Sequence, residues 1–135
     1  DAWQGKDGKL LYMAMPCLEG GTLQQQVDQA RKAGKRLHSE QAAGWYAQAL
    51  HALCYLHWRG ILHRDVKLDN MLLATGNTSL RLSDFGTAAR LPGTGPHPAR
   101  EGFVLGSVTT AHINAPEVLL KSTHYASSDL WSLAA

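Results

Sequence analysis

Two stretches of the chain space their apolar residues as a helix does. Thr22 followed by Gln25 has the spacing of a capping box, so a helix is expected to begin there and to end at Gly34. The stretch from Ser39 to Gly60 has apolar residues at helical intervals. It predicts a long helix that Ser39 caps at its start and Gly60 ends.

Other apolar runs are short and lack helical spacing, which favours strands. Residues 10–18, LLYMAMPCL, suit a buried strand that continues into an extended segment at Pro16. Residues 71–74 and 80–85 predict the two strands of a hairpin, joined by the polar turn TGNTS. Between the long helix and this hairpin the sequence is dense in charge, and we expect a loop there.

Composition narrows the class of protein. The 135 residues carry a net charge of +2 with 44% hydrophobic residues, which fits one globular domain and gives no case for a nucleic-acid partner. No apolar run approaches the roughly 18 residues of a membrane span, and no secretory leader opens the chain. Cys17 and Cys54 are not in a C-x-x-C pair and are expected to be free, buried thiols. We therefore expect an intracellular, cytoplasmic protein that binds no membrane, with the nucleus left open.

Three short motifs carry most of the chemistry. They are HRDVKLDN at residues 63–70, Asp-Phe-Gly at 84–86 and Ala-Pro-Glu at 115–117. In this order, with a hairpin between the first two, they resemble the eukaryotic protein kinase catalytic domain. The resemblance implies an α+β fold, mainly a helical C-lobe with a short β-hairpin and a piece of the N-lobe sheet. It implies a partial kinase domain, with the end of the N-lobe and the hinge in residues 1–18 and the C-lobe in 19–135.

The residues of these motifs suit phosphoryl transfer, which needs alignment, a proton acceptor and positive charge near the moving phosphate. Asp65, expected at the open cleft, can accept the proton of a substrate hydroxyl, and Lys67 supplies a cation near the phosphate. Mg²⁺ prefers oxygen ligands. We expect the hairpin to bring the carboxylate of Asp84 beside the amide of Asn70, where the two residues would bind the metal.

The resemblance also implies an ATP site. MAMPCLEGGTL looks like a kinase hinge, with Met15 as the gatekeeper. The carbonyl of Pro16 and the backbone N–H and carbonyl of Leu18 would contact adenine, and Leu72 matches the apolar residue beneath the adenine ring. ATP and Mg²⁺ are thus the implied cofactors.

Further residues match family positions whose role is support or regulation. Thr110 matches the threonine that contacts the catalytic Asp and Lys, and Ser107 and Thr109 are candidate phosphosites for an upstream activating kinase, with Arg64 as the partner of the phosphate. His63 is expected to pack against Phe85 rather than to act as a base. The residues implied to be structural are His63, Arg64, Phe85, Gly86, Glu117 and Asp129.

The expected function is serine/threonine protein kinase, because Lys67 in HRDVKLDN is the form that serine/threonine kinases use. The parent would transfer the γ-phosphate of ATP to protein Ser or Thr hydroxyls in signalling. The sequence contains no Gly-rich phosphate loop and no V-A-I-K lysine. A pseudokinase, or a truncated kinase-like binding module, is therefore the alternative, and the isolated chain is expected to be inactive. A small-molecule phosphotransferase is disfavoured by the Ala-Pro-Glu segment.

Overall fold

A computed structural model describes residues 1–92, 102–106 and 111–135. The helices in these residues are α1 (Leu23–Lys32), α2 (Ser39–Trp58), α3 (Pro116–Lys121) and α4 (Ala126–Ala134). The strands form antiparallel pairs: β1 (Ala2–Gln4) with β2 (Leu11–Met13), β3 (Ile61–Leu62) with β6 (Ala89–Arg90), β4 (Met71–Leu73) with β5 (Leu80–Leu82), and β7 (Val104–Leu105) with β8 (Thr123–His124). This mixture of helices and small sheets agrees with the expected α+β class. Among the described residues, no helix combines the length and the apolar character that crossing a membrane requires.

The helix starts show how far local sequence determines local structure. At α1 the hydroxyl of Thr22 accepts the backbone N–H of Gln25, and the side chain of Gln25 accepts the N–H of Thr22, so the predicted capping box is confirmed. Gly34 follows the helix with a φ of 63°. The prediction that Ser39 caps α2 is wrong by one residue, because Ser39 already lies inside the helix. Gly60 lies just beyond the other end of α2, with a φ of 68°.

The β1–β2 hairpin differs from its expectation. The prediction of a buried strand in residues 10–18 is wrong, since only Leu11–Met13 is a strand and its side chains are exposed. Leu11 is 70% exposed and Met13 is 66% exposed. The physical reason is that β2 pairs with β1 alone in the described residues, and every residue of both strands is exposed, so neither face of the sheet packs on a core.

Both cysteines are free, as expected, but the prediction that they are buried is wrong. Cys17 is in the extended segment after β2, where residues 11–16 are exposed as well. Cys54 lies on α2, whose buried face is defined by Ala49 and Leu53. Successive residues on a helix point about 100° apart, so the residue after Leu53 turns away from the core.

The core lies between α2 and the β4–β5 hairpin. Alternation along β4 directs Met71 and Leu73 inward and leaves Leu72 half-buried on the other face. The buried residues of this core come from α1, α2, the hairpin and the loop before it: Leu23, Trp45, Ala49, Leu53, Leu56, Val66, Met71, Leu73 and Leu80. The β4–β5 hairpin, which separates the HRDVKLDN and Asp-Phe-Gly motifs, therefore packs against α2.

Candidate active site

The β4–β5 hairpin brings together two motifs that are separated in the sequence. Asn70 immediately precedes β4, and Ser83 and Asp84 immediately follow β5. At the base of the hairpin the backbone N–H of Ser83 donates to the carbonyl of Asn70 at 2.8 Å, and the hydroxyl of Ser83 donates to the same oxygen at 3.0 Å. The hairpin thus brings Ser83, the residue before Asp84, against Asn70. That the carboxylate of Asp84 lies beside the amide of Asn70 stays a prediction.

Asp65 is surrounded by its own loop. The ammonium of Lys67 donates to Oδ2 of Asp65 at 2.7 Å, and Nδ2 of Asn70 donates to the same atom at 3.0 Å. Nδ2 of Asn70 also donates to the carbonyl of Asp65 at 2.8 Å. The prediction that Asp65 lies at an open cleft is wrong for the described residues, since it is only 7% exposed. A buried carboxylate requires compensation, and the nearby cation and amide supply it.

His63 is completely buried and is fixed by two hydrogen bonds. Nε2 donates to the carbonyl of Ser83 at 2.9 Å, and the backbone N–H of Asp65 donates to Nδ1 at 3.3 Å. A carbonyl can only accept and an amide N–H can only donate, so the ring is the neutral tautomer with its proton on Nε2. The ring centroid lies 5.1 Å from that of Phe85. The expected packing of these two rings is confirmed.

The carboxylate of Asp129, in the first turn of α4, holds the loop that begins with His63. Oδ2 accepts the backbone N–H of His63 at 2.9 Å, and Oδ1 accepts the N–H of Arg64 at 2.8 Å. Nε2 of His57 donates to Oδ2 at 2.8 Å. The anchoring role predicted for Asp129 is confirmed, whereas the contribution of His57 was missed. Its only sequence signal is a histidine at an apolar position of α2.

The side chains expected to bind Mg²⁺ are those of Asn70 and Asp84. Asp84 is exposed with a φ of 60°, a conformation that Asp tolerates better than most residues, and its Oδ1 accepts the backbone N–H of Gly86 at 3.2 Å. The hydrogen bonds of the Asn70 side chain use Nδ2. The described residues contain no group of three or more His, Cys, Asp or Glu side chains that could hold a metal ion. Mg²⁺ needs only one or two carboxylates besides water and substrate phosphates, so the donor set fits.

The hinge-like segment follows β2 as extended chain. Met15 is 77% exposed, Pro16 is exposed, and Leu18 is half-buried. The half-buried side chain of Leu72 lies on the strand that this segment approaches, since Thr22 and Leu72 form an isolated antiparallel bridge. The structure therefore places Leu72 beside the end of this segment, whereas the adenine-binding roles of Met15, Pro16 and Leu18 stay predictions.

Two glycines make the approach between this segment and β4 possible. Gly20 donates its N–H to the carbonyl of Leu73 at 2.9 Å, and the carbonyl of Gly21 accepts the N–H of Leu73 at 2.9 Å. A Cβ on Gly20 would lie 2.5 Å from the carbonyl oxygen of Ala74, closer than any real side chain packs. Gly21 has a φ of 73°, which strains residues with a side chain.

The family model described as "Protein kinase domain" matches residues 3–135. The chain is a member of the protein kinase family. It is 35% identical to 3-phosphoinositide-dependent protein kinase 1 of Arabidopsis thaliana over 95% of this chain and 26% of the relative. It is 33% identical to serine/threonine-protein kinase Nek4 of Mus musculus, over 98% of this chain and 16% of the relative. Serine/threonine-protein kinase PAK 5 of Rattus norvegicus is 36% identical, over 93% of this chain and 16% of the relative.

This kinase chain therefore spans between about one sixth and one quarter of the length of these relatives. The resemblance inferred from the motifs is confirmed, and so is the α+β fold class. Protein kinases in general use ATP and Mg²⁺. The relatives are named serine/threonine or protein kinases, which agrees with the form of the loop around Lys67.

Some site residues predicted from the kinase resemblance lie outside the described residues. These are Thr110 and the two candidate phosphosites, Ser107 and Thr109. Of the supporting residues, Glu117 accepts the hydroxyl of Ser128 through Oε1 at 2.6 Å, a contact that joins the Ala-Pro-Glu motif to α4.

Proposed function

We propose that the chain forms the catalytic centre of a serine/threonine protein kinase, which transfers the γ-phosphate of ATP to Ser or Thr hydroxyls of protein substrates in signalling. The observation that carries this proposal is that Lys67 and Asn70 both donate to the carboxylate of Asp65, at 2.7 and 3.0 Å. Asp84 directly follows Ser83, whose N–H donates to the carbonyl of Asn70. Membership of the family supports the reaction type.

Each residue of the cluster has a distinct task in this proposal. The carboxylate of Asp65 accepts the proton of the attacking hydroxyl and aligns that hydroxyl with the phosphate. Lys67 lies 2.7 Å from the same carboxylate, so its charge is near both the leaving proton and the arriving phosphate. The carboxylate of Asp129 accepts the backbone N–H groups of His63 and Arg64 and so holds the loop that carries these groups. The groups are therefore positioned before the substrate binds.

Asn70 and Asp84 would hold Mg²⁺, through the amide Oδ1 and the carboxylate respectively. When bound, the metal neutralises charge on the phosphate oxygens. The hinge residues Met15, Pro16 and Leu18, with Leu72 on β4, would hold the adenine ring. Pro16 lacks an N–H but offers its carbonyl, which is the group this position needs.

Regulation follows the same proposal. Phosphorylation of Ser107 or Thr109 by an upstream kinase would place a dianion near Arg64, and Thr110 would contact Asp65 and Lys67. Nε of Arg64 donates to the carbonyl of Thr87 at 2.6 Å, which ties this arginine to the segment after Asp-Phe-Gly. A cytoplasmic location, a partial domain divided near residue 18, and the absence of nucleic-acid or membrane partners remain predictions.

The test uses the full-length protein with radiolabelled ATP, Mg²⁺ and a mixture of protein substrates. We expect phosphate on Ser and Thr, and a loss of about 100-fold or more in kcat with Asp65→Asn. Asp84→Asn should abolish transfer and weaken Mg²⁺-dependent nucleotide binding, whereas Asp7→Asn, a change at an exposed turn, is the matched control. If the folded parent transfers no phosphate, the catalytic proposal is wrong and the chain acts as a binding module.

A further inference from the structure

Ser83 uses its backbone and side chain to connect the motifs of the site. Its N–H and its hydroxyl both donate to the carbonyl of Asn70, at 2.8 and 3.0 Å, and its own carbonyl accepts Nε2 of His63 at 2.9 Å. We propose that Ser83 is a positioning residue for the metal site, because its hydroxyl fixes the backbone of Asn70 relative to Asp84. This inference rests on the proposed function, in which Asn70 and Asp84 bind Mg²⁺.

The contacts form a closed ring of four residues. Asp65 donates its N–H to His63, and His63 donates to Ser83. Ser83 donates to Asn70, and Asn70 donates back to Asp65 through Nδ2. The ring connects Asp65, the proposed proton acceptor, to Asn70, a proposed metal ligand, by two routes. One is direct, and the other runs through His63 and Ser83. A displacement of any of the four residues would therefore change the positions of both Asp65 and Asn70.

The hydroxyl of Ser83 strengthens the part of the ring nearest the proposed metal ligands. A carbonyl oxygen has two lone pairs, so the oxygen of Asn70 can accept the N–H and the hydroxyl of Ser83 together. With the N–H alone, the peptide of Asn70 could tilt about one hydrogen bond. With both, the peptide and the side chain of Ser83 are held at one orientation.

The position of Ser83 makes that orientation matter for the metal. Asp84 follows directly and adopts a φ of 60°, so the chain turns sharply after Ser83. The backbone of Asp84 therefore starts from the residue that is bonded to Asn70, and its carboxylate accepts the N–H of Gly86 at 3.2 Å. On the other side, the side chain of Asn70 projects from the residue whose carbonyl is held. The hydroxyl thus controls the distance between the two proposed ligands without touching the metal.

The experiment compares Ser83→Ala and Ser83→Thr with the wild-type full-length protein, and uses Ser79→Ala, a serine in the hairpin turn, as the matched control. The first readout is the Mg²⁺ concentration at half-maximal binding of a fluorescent ADP. Loss of one hydrogen bond predicts a roughly fivefold higher Mg²⁺ midpoint for Ser83→Ala. Ser83→Thr, which keeps the hydroxyl, should stay within about twofold of wild type.

The second readout needs neither metal nor activity. In Mg²⁺-free protein, hydrogen exchange at the amides of Ser83 and Asp84 should be faster in Ser83→Ala and restored in Ser83→Thr. An unchanged Mg²⁺ midpoint, or a lower melting temperature with no change in that midpoint, overturns the inference while leaving the proposed function intact. A wild-type protein that binds ADP without any dependence on Mg²⁺ overturns the metal assignment in the proposed function, and with it this inference.

Discussion

At the scale of single residues, Asp129 illustrates how one buried carboxylate can shape a loop. The loop from His63 has little regular structure, and Arg64 adopts a φ of 68°, which is unfavourable for a residue with a side chain. Both backbone N–H groups are satisfied by Asp129, which is 3% exposed. The conformation of the loop that begins with His63 therefore depends on a residue far along the chain, at the start of α4.

Replacement of Asp129 by Ala should lower both stability and activity. The change leaves the N–H groups of His63 and Arg64 without acceptors in a buried place, at a cost of about 1–3 kcal/mol in the free energy of unfolding. Thermal denaturation of the full-length protein measures this loss. Asp7→Ala, which removes an exposed carboxylate, is the control and should leave the melting temperature unchanged. Equal melting temperatures for the two variants would contradict the anchoring role.

His124 is a second buried polar residue, and it affects how stability depends on pH. It is 2% exposed, and its Nε2 donates to the carbonyl of Gly106 at 2.8 Å. Burial lowers the pKa of His124, and the charge of Arg64 lowers it further. The hydrogen bond to Gly106 and the charges of Asp129 and Glu117 raise the pKa, but the net shift is downward. The neutral ring is therefore the form that the folded protein prefers.

This preference predicts a loss of stability in acid. As the pH falls below about 6.5, the unfolded chain binds a proton at His124 before the folded protein does, so the free energy of unfolding decreases. The loss is complete once the pH is below the lowered pKa of the folded state. His124→Gln keeps a donor for Gly106 but does not titrate. Urea denaturation from pH 7 to pH 5 should give a shallower decline for this variant, and identical slopes would refute the assignment.

At the scale of elements, the predictable parts are those whose signals are local. The capping box of α1 and the polar turn of the β4–β5 hairpin both lie within a few residues of what they determine. The pairing of β7 with β8 was not predicted, because each strand has two residues and the partners are distant in sequence. Helix α3 was missed as well, although Pro116 at its start is a recognised signal.

The site divides in the same way. The motif residues and the contact between His63 and Phe85 follow from sequence and family resemblance. The burial of Asp65 and the bond from His57 to Asp129 depend on how separate elements pack, and no local pattern encodes either. The sequence therefore predicts which chemical groups form the site. The solvent exposure of those groups depends on the packing of the fold.

Helix α2 supports the hairpin through side chains that bond to its backbone. Oε1 of Gln48 accepts the N–H of Leu80 at 2.8 Å, and Nε2 of Gln48 donates to the carbonyl of Thr78 at 3.2 Å. The indole N–H of Trp45 donates to the carbonyl of Asn77 at 2.9 Å. These bonds fix the turn of the hairpin whose base carries the proposed metal ligands.

We expect Gln48→Ala to destabilise the hairpin selectively. The N–H of Leu80 would lose its acceptor, which costs about 1–3 kcal/mol when the donor stays buried. Hydrogen exchange measured by mass spectrometry should be faster in residues 75–82 and unchanged in α1. Gln41→Ala, at an exposed position of the same helix, is the matched control. Equal exchange in the two variants would show that α2 does not support the turn through Gln48.

At the scale of the whole molecule, apolar side chains remain exposed in two regions. In the β1–β2 hairpin and the segment after it, Leu11 is 70% exposed and Met15 is 77% exposed. On α3 and α4, Leu120 is 82% exposed and Trp131 is 53% exposed. Exposed apolar surface of this kind usually contacts further protein. The chain spans only about one sixth to one quarter of the length of these relatives.

The exposed apolar surfaces and the motifs present in the sequence predict low activity for the 135-residue chain expressed alone. It contains no Gly-x-Gly-x-x-Gly loop to cover the phosphates of ATP. Without that loop, the nucleotide would be bound on one side only, next to Asp65, Asn70 and Asp84. Catalysis of phosphoryl transfer comes mostly from positioning, which would then be incomplete. We expect no detectable transfer and weak ADP binding from the isolated chain, measured with radiolabelled ATP and by calorimetry against the full-length protein. Turnover by the isolated chain within about tenfold of the full-length rate would show that these residues suffice for catalysis.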